Sequence, residues 1–180
     1  MRRSCDAVRP SANARWGNTV AILTGDFLFA RASDLLADLG PAAVRLQART
    51  FERLVAGQIR ETVGPGDTDP ITHYLQVLAD KTGSLIATSA QFGAEFAGVD
   101  RSIVDVLRRF GEQIGVAFQL SDDILDIASE STVSGKTPGT DLREGIRTLP
   151  VLYALRSTDP DDARLRELVS GPLADDSLLC

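Results

Sequence analysis

Residues 118–126 read FQLSDDILD, three aspartates set in an apolar pattern that predicts a helix. At about 100° of rotation per residue, Gln119, Asp122, Asp123 and Asp126 share an arc of about 100°, and Glu112 and Gly115 extend it one to two turns upstream. Ile114, Ala117, Phe118, Leu120, Ile124, Leu125 and Ile127 take the opposite arc. The pattern therefore predicts an apolar core face and an acidic face turned away from it. The width of the apolar arc suits a helix inside a bundle better than one on its surface. Asp122 and Asp126, at i and i+4, repel by a few tenths of a kcal/mol unless compensated, so a cation is expected between them. Hard carboxylate oxygens favour Mg²⁺, which keeps its waters and binds through one or two carboxylates plus substrate phosphates. A merely solvated acidic surface is the competing reading of this stripe, and the stripe alone does not separate the two.

Length and composition narrow the class. A chain of 180 residues holds one sizeable core and has little room for two domains. Hydrophobic residues at 43% and charged residues at 24% exclude wholesale disorder. A net charge of −6 argues against nucleic acid as a partner, which needs a basic face. Cys5 and Cys180 form no zinc spacing or disulfide framework. No apolar run after Met1 reads as a signal peptide, and Val20 to Leu23 is too short to span a membrane. The expectation is a soluble, cytoplasmic protein with no membrane span.

In chain order, residues 1–13 read as an irregular, Arg-rich tail in which Pro10 and Asn13 disfavour helix. Arg2, Arg3, Arg9 and Arg15 suit anion binding or plain solvation, with solvation favoured on spacing alone. A helix is predicted from Trp16 to Leu39, stopped by Gly40-Pro41, and another from Ala42 to Val63, which carries Glu52 and Gln58. Asp69-Pro70 starts a helix that runs to about Gly98. Within it Lys81-Thr82-Gly83-Ser84 interrupts the apolar pattern, and the near-continuous apolar stretch that follows predicts burial. Lys81 either snorkels or faces a pocket, and the lone His73 reads as structural. Asp100 caps the helix that contains FQLSDDILD and ends near Ala128. The segment ESTVSGKTPGTDLREGIRT, with Lys136, Asp141, Arg143 and Arg147, has the length and irregularity of a lid or binding loop. Thr148-Leu149-Pro150 and Asp159-Pro160 start two further helices, through Arg156 and Val169. No strand periodicity persists, so the predicted fold class is all-α, a bundle of long helices forming a single domain over residues 1–180.

Taken together, PSANARWGN, GDFLFARAS, the Lys81-Thr82 pair, FQLSDDILD, GKTPGTDL and RTLP, in that order, resemble the later two thirds of a trans-polyprenyl diphosphate synthase. The resemblance runs from about Pro10 to Leu168 and implies the isoprenoid synthase fold, here a partial domain. The family's first aspartate-rich motif lies upstream of the matched region and its last helices beyond it, so the chain resembles a fragment truncated at both ends. The resemblance implies that Asp122, Asp123 and Asp126 bind Mg²⁺ on the diphosphate of an allylic substrate, with Gln119 beside them. Lys81, Thr82 and Lys136 match positions that contact the same diphosphate. Arg2 and Arg3 resemble the arginine pair that grips isopentenyl and allylic diphosphates, although Ser4 stands where the family usually has glycine.

The implied activity is prenyl transfer from an allylic prenyl diphosphate to isopentenyl diphosphate, with charge stabilised on the leaving group and water kept away by the apolar helix from Leu85 to Phe96. A homodimer or a heteromeric synthase is the implied assembly. Two other readings stay open on sequence. One is a non-catalytic helical subunit that binds prenyl diphosphate or completes a partner synthase; the other is a class I terpene cyclase, which usually lacks the GKTPGTDL and RTLP pattern.

Overall fold

The computed structural model describes residues 11–128 and 139–173, and every described element is helical. Two compact units divide the chain, residues 1–48 and residues 49–180.

The first unit holds α1 (Ala12–Trp16), α2 (Asn18–Ala37) and the opening turns of α3 (Pro41–Val63). The helix predicted from Trp16 to Leu39 is interrupted at Gly17, whose φ of 82° is left-handed and ends α1 before α2 begins. Helix also reaches back to Ala12, past the Asn13 expected to disfavour it, because the amides of Arg15 and Gly17 find the carbonyls of Ser11 and Asn13. Gln47 on α3 donates to Ser33 Oγ on α2 at 3.0 Å.

The second unit contains the rest of α3, then α4 (Pro70–Leu78), a π turn (Ala79–Gly83), α5 (Ser84–Phe96) and α6 (Arg101–Ala128). After residues 129–138, outside the described set, follow α7 (Thr140–Glu144), α8 (Leu149–Arg156), a 3₁₀ turn (Pro160–Asp162) and α9 (Ala163–Leu168). Asp69 caps α4 as its sequence requires: the carboxylate accepts from the Thr72 amide at 2.9 Å, and Pro70 needs no partner for a missing N–H. The single helix expected from Pro70 to Gly98 is instead split by the π turn, which falls on Lys81-Thr82-Gly83, the stretch that broke the apolar pattern. Part of the segment expected to be irregular is helical too, as α7, entered and left through left-handed glycines, Gly139 and Gly145.

Packing of α5 on α6 decides the site, and it reverses one expectation. A Cβ on Gly115 would sit 2.8 Å from the Cα of Gly83, and one on Gly111 would sit 2.9 Å from the Cα of Ala87. Glycine at both positions lets two backbones meet where a side chain would hold them apart. The α6 face that meets α5 and the π turn is therefore the small and acidic one, Gly111, Gly115, Gln119 and Asp123. The arc predicted to be core is turned outward, with Phe118 63% exposed and Ile114, Ile124, Leu125 and Ile127 also exposed. Similarly, α5 buries only Ser84, Ala87 and Ala94, whereas Leu85 and Phe96, expected to form a water-excluding wall, are exposed. Side-chain size explains both results: hydrophobic periodicity finds the apolar arc, but close packing here follows the glycines and alanines. Among the described residues no helix is long and apolar enough to cross a membrane.

Candidate functional site

Four side chains from α4, the π turn and α6 form a continuous polar chain. Thr82 on the π turn donates its hydroxyl to Gln119 Oε1 on α6 at 3.1 Å. Gln119 Nε2 donates onward to Asp123 Oδ1 at 3.0 Å. Tyr74 on α4 donates its phenol to the other carboxylate oxygen, Asp123 Oδ2. Asp123 is only 6% exposed, and its burial is tolerable because both oxygens accept hydrogen bonds. Burial, together with the Asp123 carboxylate it bonds, pushes the Tyr74 phenol far above its ordinary pKa, so it stays a donor.

Asp122 and Asp126 flank this buried carboxylate and are half-buried. Asp126 is tied to the segment entering α7: its carbonyl accepts from the Gly139 amide at 2.7 Å and its Oδ2 from the Asp141 amide at 3.0 Å. That tie brings a fourth acid to the group. Burial, then repulsion from Asp126, Asp123, Glu144 and Asp122, pushes the Asp141 carboxyl up to about 6. Among the described residues no three acidic, His or Cys groups converge tightly enough to hold a metal ion by themselves. Hard carboxylate oxygens fit Mg²⁺, which is held by few carboxylates and completes its shell with water and phosphate oxygens.

Lys81 precedes Thr82 on the same turn. Its ammonium pairs with Glu61 of α3 at 2.8 Å, across the edge of a cavity of about 540 Å³ also lined by Gln58, His73, Tyr74 and Arg147. Tyr74 thus borders both the cavity and the aspartates. Of the nine residues singled out from sequence, Thr82, Gln119 and Asp123 are bonded in series, Asp122 and Asp126 adjoin them on α6, and Lys81 adjoins Thr82 on the cavity side. Arg2, Arg3 and Lys136 lie outside the described residues. Sequence reasoning missed Tyr74, whose polar tip in an apolar helix was the available signal. It also missed Glu61, which carried no signal at all. Gln58 lines the cavity and bonds Glu61 at 2.7 Å, whereas Glu52 is exposed.

The profile of the family described as polyprenyl synthetase matches residues 1–178. The chain belongs to the polyprenyl synthetase family. It is 57% identical over 169 residues to a nonaprenyl diphosphate synthase of Mycobacterium tuberculosis, covering 93% of this chain and 50% of that protein. It is 40% identical over 171 residues to heptaprenyl diphosphate synthase component 2 of Geobacillus stearothermophilus, covering 93% and 52%. Its structure resembles the geranylgeranyl pyrophosphate synthase of Corynebacterium glutamicum, crystallised with calcium and isoprenyl diphosphate. The TM-score is 0.81 at 54% identity, over 94% of this chain and 52% of that one. The chain spans about half the length of the curated relatives it matches. The all-α fold expected from sequence is that of the polyprenyl synthetase family, and the resemblance drawn from the motifs is the correct one.

Proposed function

We propose that this chain carries the diphosphate-gripping part of a prenyltransferase that condenses isopentenyl diphosphate with an allylic prenyl diphosphate. The observation that supports this most is the Thr82–Gln119–Asp123 series, which joins the Lys81-Thr82 pair to the aspartates although 37 residues separate Thr82 from Gln119. Asp122 and Asp126, with Asp123 buried between them, would hold Mg²⁺. Bound there, the ion would neutralise charge developing on the leaving diphosphate.

The chain's own groups do the rest. Lys81, drawn off Glu61, and Thr82 bind oxygens of the allylic diphosphate, and Gln119 fixes Thr82 in place. By the motif match, Lys136 binds the same group, and Arg2 and Arg3 grip the isopentenyl and allylic diphosphates. As the allylic C–O bond breaks, its electron pair leaves with pyrophosphate and a carbocation remains. The isopentenyl double bond then attacks that carbon, and a proton is lost from the adduct to the departing pyrophosphate. Preorganised cations at the leaving group lower the barrier because they strengthen as charge develops.

The domain is read as one partial synthase domain over residues 1–180, supported by the span of the family match. A partner subunit, a second copy or another synthase chain, is supported by the relative named as component 2. The paucity of cysteine supports a cytoplasmic setting. Pyrophosphate release from isopentenyl plus allylic diphosphate, with Mg²⁺, tests the reading. Release that falls roughly tenfold or more in Asp122→Ala is expected. A wild-type chain that neither releases pyrophosphate nor binds an allylic diphosphate overturns it.

A further inference from the structure

Behind the diphosphate-binding face lies a charge cluster that the reaction does not use. Asp80, in the π turn, is 3% exposed and carries two cations: Arg53 Nε donates to its Oδ1 at 2.7 Å, and Arg60 donates to its Oδ2. Arg53 also donates to Glu112 of α6. Burial would lower the Arg53 pKa, but its bonds to the Glu112 and Asp80 carboxylates more than reverse that, leaving it raised. Between Arg53 and Arg60 on the same face of α3 lies Gly57, where a Cβ would sit 2.9 Å from the Asp80 Cβ and 3.1 Å from the Lys81 amide nitrogen. The π turn thus rests directly on the α3 backbone, with a guanidinium on either side of Asp80.

The next residue along each element makes the opposite pair. Arg60 meets Asp80 while Glu61 meets Lys81. Two consecutive residues of α3 therefore read two consecutive residues of the turn, with signs reversed. A slip of one position in one direction would set Arg60 against Lys81, and in the other direction Glu61 against the buried Asp80 carboxylate, so either slip makes a like-charge contact. A π turn holds one residue more than an α turn, a register that needs such fixing.

We propose that Asp80 is a positioning residue: seated on Gly57 between Arg53 and Arg60, it holds the widened turn in the register that points Lys81 toward the diphosphate and Thr82 toward Gln119. The role in substrate binding rests on the function proposed above; the role in holding the turn does not. Asp80→Asn keeps the shape and removes the charge. Arg60→Gln alters a half-exposed side chain and keeps the fold if Asp80→Asn does not.

Two readouts decide the matter. Amide hydrogen exchange at residues 81–84 should quicken roughly tenfold in Asp80→Asn and less in Arg60→Gln, with α6 amides around Gly111 unchanged. Affinity for geranyl diphosphate with Mg²⁺ should fall roughly fivefold in Asp80→Asn, but less than about twofold when the substitution is made on a Lys81→Met, Thr82→Val background. Unchanged exchange at 81–84 in a folded Asp80→Asn chain overturns the proposal, as does an equal loss of affinity on both backgrounds. A wild-type chain that fails to bind the probe counts against the site alone, and the exchange measurement still decides whether Asp80 holds the turn.

Discussion

Replacing Gly115 with alanine and, separately, Gly93 with alanine should move stability in opposite directions, although both glycines lie within the α5–α6 pair. At Gly115 the added Cβ would fall 2.8 Å from Gly83 Cα, 3.3 Å from Gly83 N and 3.3 Å from Ile86 Cδ1. Carbon atoms rest about 3.5–4.0 Å apart, so the two backbones must separate by close to 1 Å. Overpacking of this kind costs about 1–3 kcal/mol, and the helical gain from losing a glycine returns up to about 1 kcal/mol. At mid-range the net loss is about 1 kcal/mol, which in a chain of this size lowers Tm by about 2–4 °C. At Gly93 nothing lies within 4 Å of the added Cβ, so only the helical gain applies and stability should rise by about 0.5–1 kcal/mol. Thermal and urea unfolding followed by far-UV circular dichroism measures both. A Gly115→Ala chain as stable as the wild type would refute the inward orientation of the acidic face, because that orientation depends on the backbone contact with Gly83.

Tyr74→Phe removes one of the two donors on the buried Asp123 carboxylate and should cost about 1–3 kcal/mol in the same unfolding assay. Thr148, 2% exposed and with no partner for its hydroxyl among the described residues, starts α8 without capping it by its side chain, so Thr148→Val should raise stability by up to about 1 kcal/mol. Because Asp141 titrates near 6 in the fold against an ordinary 3.8, the folded chain keeps a proton between those values that the unfolded chain has released. Its contribution to stability therefore falls as pH rises through that window. Melting curves of Asp141→Asn should show a weaker decline across it than those of the wild type.

Much of this was legible in the sequence for identifiable reasons. The all-α fold follows from helical apolar patterns with no persistent strand alternation, and the start of α4 from Asp69-Pro70, because capping chemistry is local. The aspartate stripe and the Lys81-Thr82 pair were legible because their residue types are chemically specific. The face of α6 that packs was not, since Gly111 and Gly115 leave no mark on a hydrophobic pattern and act through how near Gly83 and Ala87 can come. Nor was the π turn, where Asp80 meets Arg53 and Arg60 of α3, 20 residues or more away in sequence. Tyr74 and Glu61 belong to the same class: each gains its meaning from a partner 20 residues or more away.

Calorimetric titration of the wild-type chain with geranyl diphosphate, once with Mg²⁺ and once with a chelator, bears most directly on the grip formed by the aspartates and Lys81-Thr82. Saturable binding with the metal and none in its absence is the expected result. Equal affinity under both conditions would mean that the carboxylates of α6 take no part in holding the diphosphate.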